Sequence, residues 1–259
     1  MFSVFPVPRA EWKQENMRYL LAQLPLVGTV IGFFLWLWTR FCLWIGFGLV
    51  LLSAGLTLLP VLFSGAIHMD GFCDTVDALA SHADMEKKRA ILKDSHTGAF
   101  AVIGTVVCLG AMFAFTYELV SPGYGYSGPE KATVDFLLAE RAGIVLGLIQ
   151  ILSRAIGGFA GTVFPKSGET GLLAAFHDAA KKGSAAVLIV WMLLCCAAAA
   201  TGSFLLAGVF AALSAACLFL LYRMAEKQFG GMSGDLAGFL ITVSQLALTA
   251  AAAVVFHLI

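Results

Sequence analysis

The sequence predicts an all-α, polytopic membrane protein, a bundle of about seven transmembrane helices whose N-terminus is cytoplasmic. Three observations lead to this fold class: the composition, the length of the apolar segments and the distribution of cations. Of the 259 residues, 60% are hydrophobic and only 12% are charged, and the mean hydropathy is +0.90. Soluble domains carry roughly 45–50% apolar and about 25% charged residues. The chain therefore has too little polar surface for a water-soluble particle of its size.

Seven segments are apolar over about the 20 residues that a helix needs to cross a bilayer. Tight turns are predicted at Thr39-Arg40, between the first two spans, and at Thr201-Gly202, between the fifth and sixth. No repeat or linker divides the chain, which predicts one integral membrane domain over 1–259. The first 20 residues lack the compact apolar region of a signal peptide. The predicted spans are 20–38, 41–66, 99–119, 137–163, 184–201, 203–222 and 236–258.

The cations are distributed asymmetrically about these spans. With seven spans, twelve of the sixteen Lys and Arg residues fall on the side of the N-terminal segment, and only Arg40 and Lys131 fall on the other. Because cytoplasmic loops are enriched in Lys and Arg, we expect the N-terminus and the acidic segment at about 67–98 to be cytoplasmic. The net charge of zero gives no indication of nucleic-acid binding. The twelve are Arg9, Lys13, Arg18, Lys87, Lys88, Arg89, Lys93, Lys166, Lys181, Lys182, Arg223 and Lys227.

Asp70, Asp74 and Asp77 are spaced i, i+4, i+7. In a helix they fall within a ~60° arc of one face. Three like charges on one stripe repel each other, and a bound cation would compensate them. Hard carboxylate oxygens favour Mg²⁺, Mn²⁺ or Ca²⁺, and Mg²⁺ usually combines one or two carboxylates with substrate phosphates. A metal–phosphate site is therefore predicted.

The alternative is a solvated, acidic helix start just outside the membrane. An apolar opposite face argues instead that the stripe points into a protein cavity; that face comprises Met69, Phe72, Val76 and Leu79. His68 precedes the first aspartate directly. Both an interfacial hydrogen-bonding residue and a metal ligand or acid–base group fit its position.

Asp84 to Ser95 reads as an amphipathic surface helix that Asp84 caps. Arg89 and Lys93 are i, i+4 neighbours, and we expect them to bind phosphate because they return the chain toward the carboxylates. Asp94 could add a fourth acidic ligand. Lys87 and Lys88 are interpreted as ordinary membrane-flanking charge.

Two further places carry candidate anion contacts. Arg154 lies inside the fourth span, where an arginine needs a polar cavity or a partner, and its planar fork suits a phosphate or a carboxylate. The segment GGMSGD (230–235) places glycines before Asp235 at a helix start, which permits close backbone approach to an anion. A plain turn followed by an N-cap explains that segment equally well.

The sequence resembles the cobalamin synthase family, also called adenosylcobinamide-GDP ribazoletransferases, over nearly its whole length. Three family patterns occur in order, H-L-D-G-x-x-D-x-x-D-G, K-D-S-R-x-G and G-G-x-T-G-D. The matching segments are FPVP (5–8), PLVGTVIG (25–32), HMDGFCDTVD (68–77), LKDSHTGAF (92–100), SR (153–154) and GGMSGD (230–235). Ala78 stands where the family usually has Gly, His96 stands where it has Arg, and FPKS (164–167) replaces the commoner PYAR, so Lys166 would supply that cation.

The resemblance implies a phosphotransferase of the last assembly step of vitamin B12. Adenosylcobinamide-GDP would be joined to α-ribazole or its 5′-phosphate, giving adenosylcobalamin or its 5′-phosphate and releasing GMP. Mg²⁺, or Mn²⁺ in its place, would be held by Asp70, Asp74 and Asp77, with Asp77, Asp94 or His68 as proton acceptor. The substrate phosphates would contact Arg89, Lys93, Arg154, Lys166 and Asp235.

The same resemblance implies an enzyme of the bacterial cytoplasmic (inner) membrane whose active site faces the cytoplasm. Its partners would be the two substrates and the lipid bilayer, and a bulky corrinoid is compatible with a homo-oligomer or with contacts to other late cobalamin-assembly enzymes. No nucleic-acid partner is expected.

Two other functions fit the sequence less well. A CDP-alcohol phosphotransferase also places Asp-rich motifs at a membrane face, but its pattern D-G-x-x-A-R is absent, since Asp70-Gly is followed by Phe-Cys-Asp-Thr. An ion channel or transporter would require acidic residues at membrane mid-depth. The predicted spans hold almost none apart from Glu140, which lies near an end.

Overall fold

The computed structural model describes residues 3–4, 17–94, 96–124, 135–168, 172–180 and 183–258. In these ranges it contains ten α-helices, no strand, and one isolated parallel bridge between Lys166 and Met232. The FPVP motif at 5–8, Arg9, Lys13, Ser95, Lys131, Lys181 and Lys182 lie outside the described residues. The helices are α1 (Leu24–Ile45), α2 (Leu49–Phe63), α3 (Ile67–Ala80), α4 (Met85–Ile91), α5 (Ala99–Val120), α6 (Phe136–Val163), α7 (Leu172–Ala179), α8 (Ser184–Ala200), α9 (Phe204–Met224) and α10 (Gly234–Leu258).

The helices confirm the predicted membrane helix bundle. Five of them, each extended by any short helical turn that adjoins it, are long and apolar enough to cross a bilayer. Two bent pairs, α2 with α3 and α7 with α8, raise the number to as many as seven. The predicted turn at Thr201-Gly202 is also confirmed, because α8 ends at Ala200 and α9 begins at Phe204.

The predicted turn at Thr39-Arg40 is wrong, because both residues lie inside α1. Thr39 is buried and packs against Gly143 of α6, and its hydroxyl donates to the Leu35 carbonyl oxygen at 2.9 Å. Arg40 pairs with Glu140 at 3.2 Å. The chain turns instead at Gly46, which adopts φ +80°, so the second helix begins at Leu49 rather than at 41.

The predicted second span also ends earlier than expected. Helix α2 stops at Phe63, and positive φ angles at Gly65 and Ala66 turn the chain by 88° into α3. The acidic segment is therefore largely helical, and α3 packs along α10 and α5. Asp84 caps α4 as predicted, since its carboxylate accepts the Lys87 amide at 2.9 Å.

Helices α6 and α10 form the centre of the bundle and are the most buried of the long spans. Helix α1 lies closest to α6. A Cβ atom at Gly32 would come within 2.9 Å of the Gly147 Cα atom. Glycines spaced four residues apart, Gly28 and Gly32 on α1 and Gly143 and Gly147 on α6, therefore allow the two backbones to touch. Large apolar side chains such as Phe33, Val106 and Leu193 remain exposed on the outer surface, as lipid contact requires.

Candidate active site

The site begins at a tight crossing of α3 and α10. A Cβ atom at Gly71 would lie 2.7 Å from the Asp235 carbonyl oxygen, and one at Gly238 would lie 3.1 Å from that of His68. The Thr242 hydroxyl donates to the same His68 carbonyl at 3.2 Å. Glycine at both positions therefore lets two backbones meet, which brings the acidic stripe of α3 beside Asp235 at the start of α10.

Four carboxylates form what we call the acidic cluster: Asp70, Asp74, Asp77 and Asp235. The other three all act electrostatically on Asp74, which is half-buried, and Asp70 also acts on Asp235. The stripe predicted from the i, i+4, i+7 spacing thus exists on one helix. Its fourth member comes from a segment about 160 residues further along the chain.

A main cavity of about 680 Å³ opens beside this cluster. Helices α3, α4, α6, α7 and α10 line it together with the segment that precedes α1 and the loops before α7 and α10. Its polar wall includes five of the predicted site residues, and its apolar wall includes Leu172, Leu173 and Phe176. The five are His68, Asp70, Arg89, Lys93 and Asp235.

Helix α4 brings the cations to the cavity. The Arg89 Nε atom donates to the Phe229 carbonyl oxygen, and the buried Lys88 ammonium donates to the Gln228 side chain. Both acceptors belong to a π-helical turn over Ala225–Phe229, a geometry frequent at functional sites. The interpretation of Lys88 as ordinary flanking charge is therefore wrong, whereas Lys87 is exposed as expected.

The turn before α10 is closed by backbone contacts rather than left open. Gly230 and Gly231 adopt φ angles of +65° and +136°. The Met232 amide donates to the Pro165 carbonyl at 2.7 Å, and the Ser167 amide donates to the Met232 carbonyl at 2.9 Å. This pairing places Ser167 and Ser233 on the cavity wall. The Ser233 hydroxyl also accepts the Leu236 amide at 3.2 Å, so the predicted turn and N-cap is present.

Lys166 does not line the main cavity. Its ammonium lies 2.7 Å from one Asp178 carboxylate oxygen and 2.9 Å from the other. The Asp178 carboxylate holds the ammonium at this position. Lys166 as a phosphate ligand stays a prediction.

Two predicted acidic residues lie away from the cavity lining. The Asp77 carboxylate occupies the space that a Cβ atom of Gly98 would need, just before α5. Asp94 is exposed, and both the ring and the backbone amide of His96 bind it, at 2.7 and 3.0 Å. The hydrogen bond from the His96 side chain lowers the pKa of Asp94, which makes this carboxylate a weaker base.

Arg154 is likewise not brought to the main cavity. It is 1% exposed and lines a second, inner cavity of about 40 Å³. His68 lines both cavities, so it alone of the three predicted proton acceptors borders the main one. A phosphate contact from Arg154 stays a prediction that this placement does not favour.

The acidic cluster fits a metal that is shared with a substrate. Among the described residues, no three His, Cys, Asp or Glu side chains converge to hold an ion by themselves. Mg²⁺ usually takes one or two carboxylates and completes its shell with water and substrate phosphates, and Asp70 and Asp235 lie on the wall of a cavity large enough for such a substrate. The three-aspartate metal site stays a prediction.

Sequence reasoning missed several residues of the site. It grouped Asp235 with the phosphate contacts, although its carboxylate lies in the acidic cluster. It passed over Ser167, Ser233 and the apolar wall on α7. The short apolar run over Leu172–Ala179 was the available signal for that wall.

The chain matches the model of the cobalamin-5-phosphate synthase family over residues 1–253. A protein of Lachnoclostridium phytofermentans named adenosylcobinamide-GDP ribazoletransferase is 33% identical over 247 residues, covering 95% of this chain and 87% of the relative. Proteins of the same name from Clostridium perfringens strain 13 and Geobacillus thermodenitrificans are 30% and 29% identical, covering 95% and 93% of this chain and 91% and 87% of the relatives. No solved structure matches. The match over nearly the whole chain, together with these relatives, shows that the chain belongs to the cobalamin-5-phosphate synthase family, a family of cobalamin-biosynthetic transferases.

Proposed function

We propose that the protein joins adenosylcobinamide-GDP to α-ribazole or its 5′-phosphate and releases GMP, in a Mg²⁺-dependent reaction on the cytoplasmic side of the inner membrane. The observation that carries this proposal is the main cavity, where carboxylates of α3 and α10 lie on the same wall as Arg89 of α4 and Lys93 just after it. Phosphoryl transfer depends chiefly on positioning and on neutralisation of phosphate charge, and this wall offers groups for both.

The bond that breaks joins the phosphorus next to the aminopropanol arm to the oxygen that leaves with GMP. A ribose hydroxyl of ribazole attacks that phosphorus, and its proton passes to His68 or to a carboxylate of the acidic cluster; His68 is the predicted acceptor that borders the main cavity. Arg89 and Lys93 stabilise the negative charge that develops on the leaving GMP. Arg89 is held for this task by its bond to Phe229.

Asp70 and Asp235 would supply two of the oxygen ligands for Mg²⁺, and Asp74 and Asp77 belong to the same cluster but do not line the cavity. We include Asp235 with the metal-binding groups, because a carboxylate repels a phosphate unless a cation lies between them. When bound, Mg²⁺ supplies charge neutralisation at the diphosphate. Mn²⁺, with similar ligand preferences, is expected to substitute.

The position of the cavity supports a cytoplasmic active site. The N-terminal ends of α1, α5 and α10 and the C-terminal ends of α2, α6 and α9 all adjoin the segments around it. Cations accumulate in the same segments, among them Arg18, Arg223 and Lys227. Such an accumulation marks the cytoplasmic face.

The test uses the purified full chain in liposomes with Mg²⁺, adenosylcobinamide-GDP and either ribazole or its 5′-phosphate. We expect stoichiometric GMP and a cobalamin product, and loss of both after chelation with EDTA. Glu118→Gln serves as a control, since this glutamate lies at the far end of α5, paired with His257. Folded protein that releases no GMP with either acceptor would contradict the proposal.

A further inference from the structure

The inner cavity lies where α2, α3, α5, α6 and α10 meet, and nothing in the proposed reaction uses it. Its volume is about 40 Å³. This exceeds the roughly 10–15 Å³ that one water molecule requires. Its polar lining includes His68, Gln150, Arg154, Thr242 and Gln245, and none of its lining residues is acidic.

Arg154 brings a full positive charge to this cavity. One terminal nitrogen donates to the backbone and side-chain oxygens of Gln150, at 3.0 and 2.8 Å. The Gln245 amide donates to the same side-chain oxygen at 2.8 Å, which orients that oxygen toward Arg154. The Arg154 Nε–H is buried and has no hydrogen-bond partner among the described residues.

A second donor position on the same cavity is also unmatched. His68 is 8% exposed, and its Nε2 atom is buried without a partner in the described part of the chain. In the tautomer that carries its proton on Nε2, His68 donates a hydrogen bond. Arg154 and His68 thus both line one small cavity, and each carries one buried nitrogen without a partner among the described residues.

The unbalanced charge indicates what fills this space. A guanidinium remains protonated in proteins, and an isolated charge in the interior of a membrane bundle is costly. Glutamine oxygens contribute only partial charge. Water would satisfy the two donors but would leave the net positive charge, whereas a small anion satisfies the donors and cancels the charge.

We propose that the inner cavity binds one monovalent anion of halide size, held by the Arg154 guanidinium and the His68 Nε2–H. The anion neutralises Arg154 and fixes the junction of the five helices. Arg154 then acts as a structural anion ligand and not as a contact for the substrate diphosphate. This inference does not depend on the proposed function.

The test compares the full chain, purified in chloride-free detergent buffer, in sodium chloride, sodium bromide and sodium gluconate of equal ionic strength. We expect the thermal midpoint Tm to rise saturably with chloride or bromide and not with gluconate, because a ligand that binds only the folded state stabilises it. Chloride NMR should show line broadening by the protein that bromide reverses by competition.

Arg154→Gln should abolish both the halide-dependent rise in Tm and the chloride broadening. Arg40→Gln, which removes an arginine paired with Glu140 on α6, should retain both. If Arg154→Gln fails to fold, Gln245→Leu is the second variant, since it leaves the charge in place but removes one orienting bond, and it should weaken halide binding. Equal Tm in chloride and gluconate, with no protein-dependent broadening in the wild-type chain, means that water alone fills the cavity and overturns the proposal.

Discussion

At the scale of single residues, Asp74 is the centre of the acidic cluster. It is the carboxylate on which Asp70, Asp77 and Asp235 all act. Mutual repulsion of four carboxylates is reduced when a divalent cation binds among them. Asp74 therefore interacts both with Asp70 and Asp235, which lie on the cavity wall, and with Asp77, which does not.

Asp74→Asn should lower the rate of GMP release by more than about 100-fold, because the metal contributes several kcal/mol to transition-state stabilisation and each 1.36 kcal/mol is tenfold in rate. The thermal midpoint should not fall, since the substitution removes a repelling charge. GMP release and the midpoint are measured together, with Glu118→Gln as the matched control. Activity near that of the wild type would remove Asp74 from the metal site.

Gly98 offers a way to move Asp77 without changing it. A methyl group at Gly98 would overlap the Asp77 carboxylate, whereas one at Gly110, within α5, would meet no atom within 4 Å. Gly98 has φ −78°, which alanine adopts without strain, so the substitution acts through the contact.

Gly98→Ala should reduce the rate of GMP release at least about tenfold, which corresponds to 1.36 kcal/mol, if the position of Asp77 matters to the site. Gly110→Ala should leave the rate unchanged. Steady-state kinetics over a range of Mg²⁺ concentrations measures both variants. Equal rates in the two would show that the acidic cluster works without Asp77 in its present place.

At the scale of elements, the crossing of α3 and α10 builds the acidic cluster. Its geometry depends on Gly71 and Gly238, which face the opposite backbone. The glycine of the D-G motif thus has a packing role, because a side chain at this position would push Asp70 away from Asp235.

Gly71→Ala should destabilise the protein by about 1–3 kcal/mol, as expected for overpacking at a tight contact. Gly208→Ala on α9 is the control, since a methyl group there meets open space. Thermal unfolding in detergent measures the difference. A midpoint for Gly71→Ala equal to that of the control would mean that the two helices separate without loss of stability.

At the scale of the whole molecule, the spans alternate in direction. Taking α1, α2, α5, α6, α8, α9 and α10 as crossings, every second helix end returns to the side of the main cavity. We expect the helical segment over Ile67–Ala80 to stay on that side, since the 88° bend turns it away from the direction of α2.

This arrangement predicts where reporters fused to the chain will lie. A reporter fused after Leu258 should show a periplasmic signal, and one fused after Lys227 should show a cytoplasmic signal. Paired phosphatase and fluorescent-protein fusions make the measurement. A cytoplasmic signal from the fusion after Leu258 would require an even number of crossings.

The membrane bundle, most helix bounds and the acidic stripe were predictable from the amino-acid sequence. These features depend on local properties, namely the length of apolar runs and the spacing of Asp70, Asp74 and Asp77 on one helical face. The Thr39-Arg40 turn was wrong for a nonlocal reason. Polar residues in the sequence suggested an interruption there, but Gly143 and Glu140 of α6 accommodate them inside a continuous helix.

Which distant residues meet depends on how the helices pack. This packing placed Asp235 in the acidic cluster, paired Lys166 with Asp178, and separated Arg154 from the main cavity. A spacing within one helix fixes which residues share a face, because the helix repeats every 3.6 residues. That spacing does not indicate which backbone packs on the face. Here α10 packs on α3, because Gly71 and Gly238 allow their backbones to approach closely.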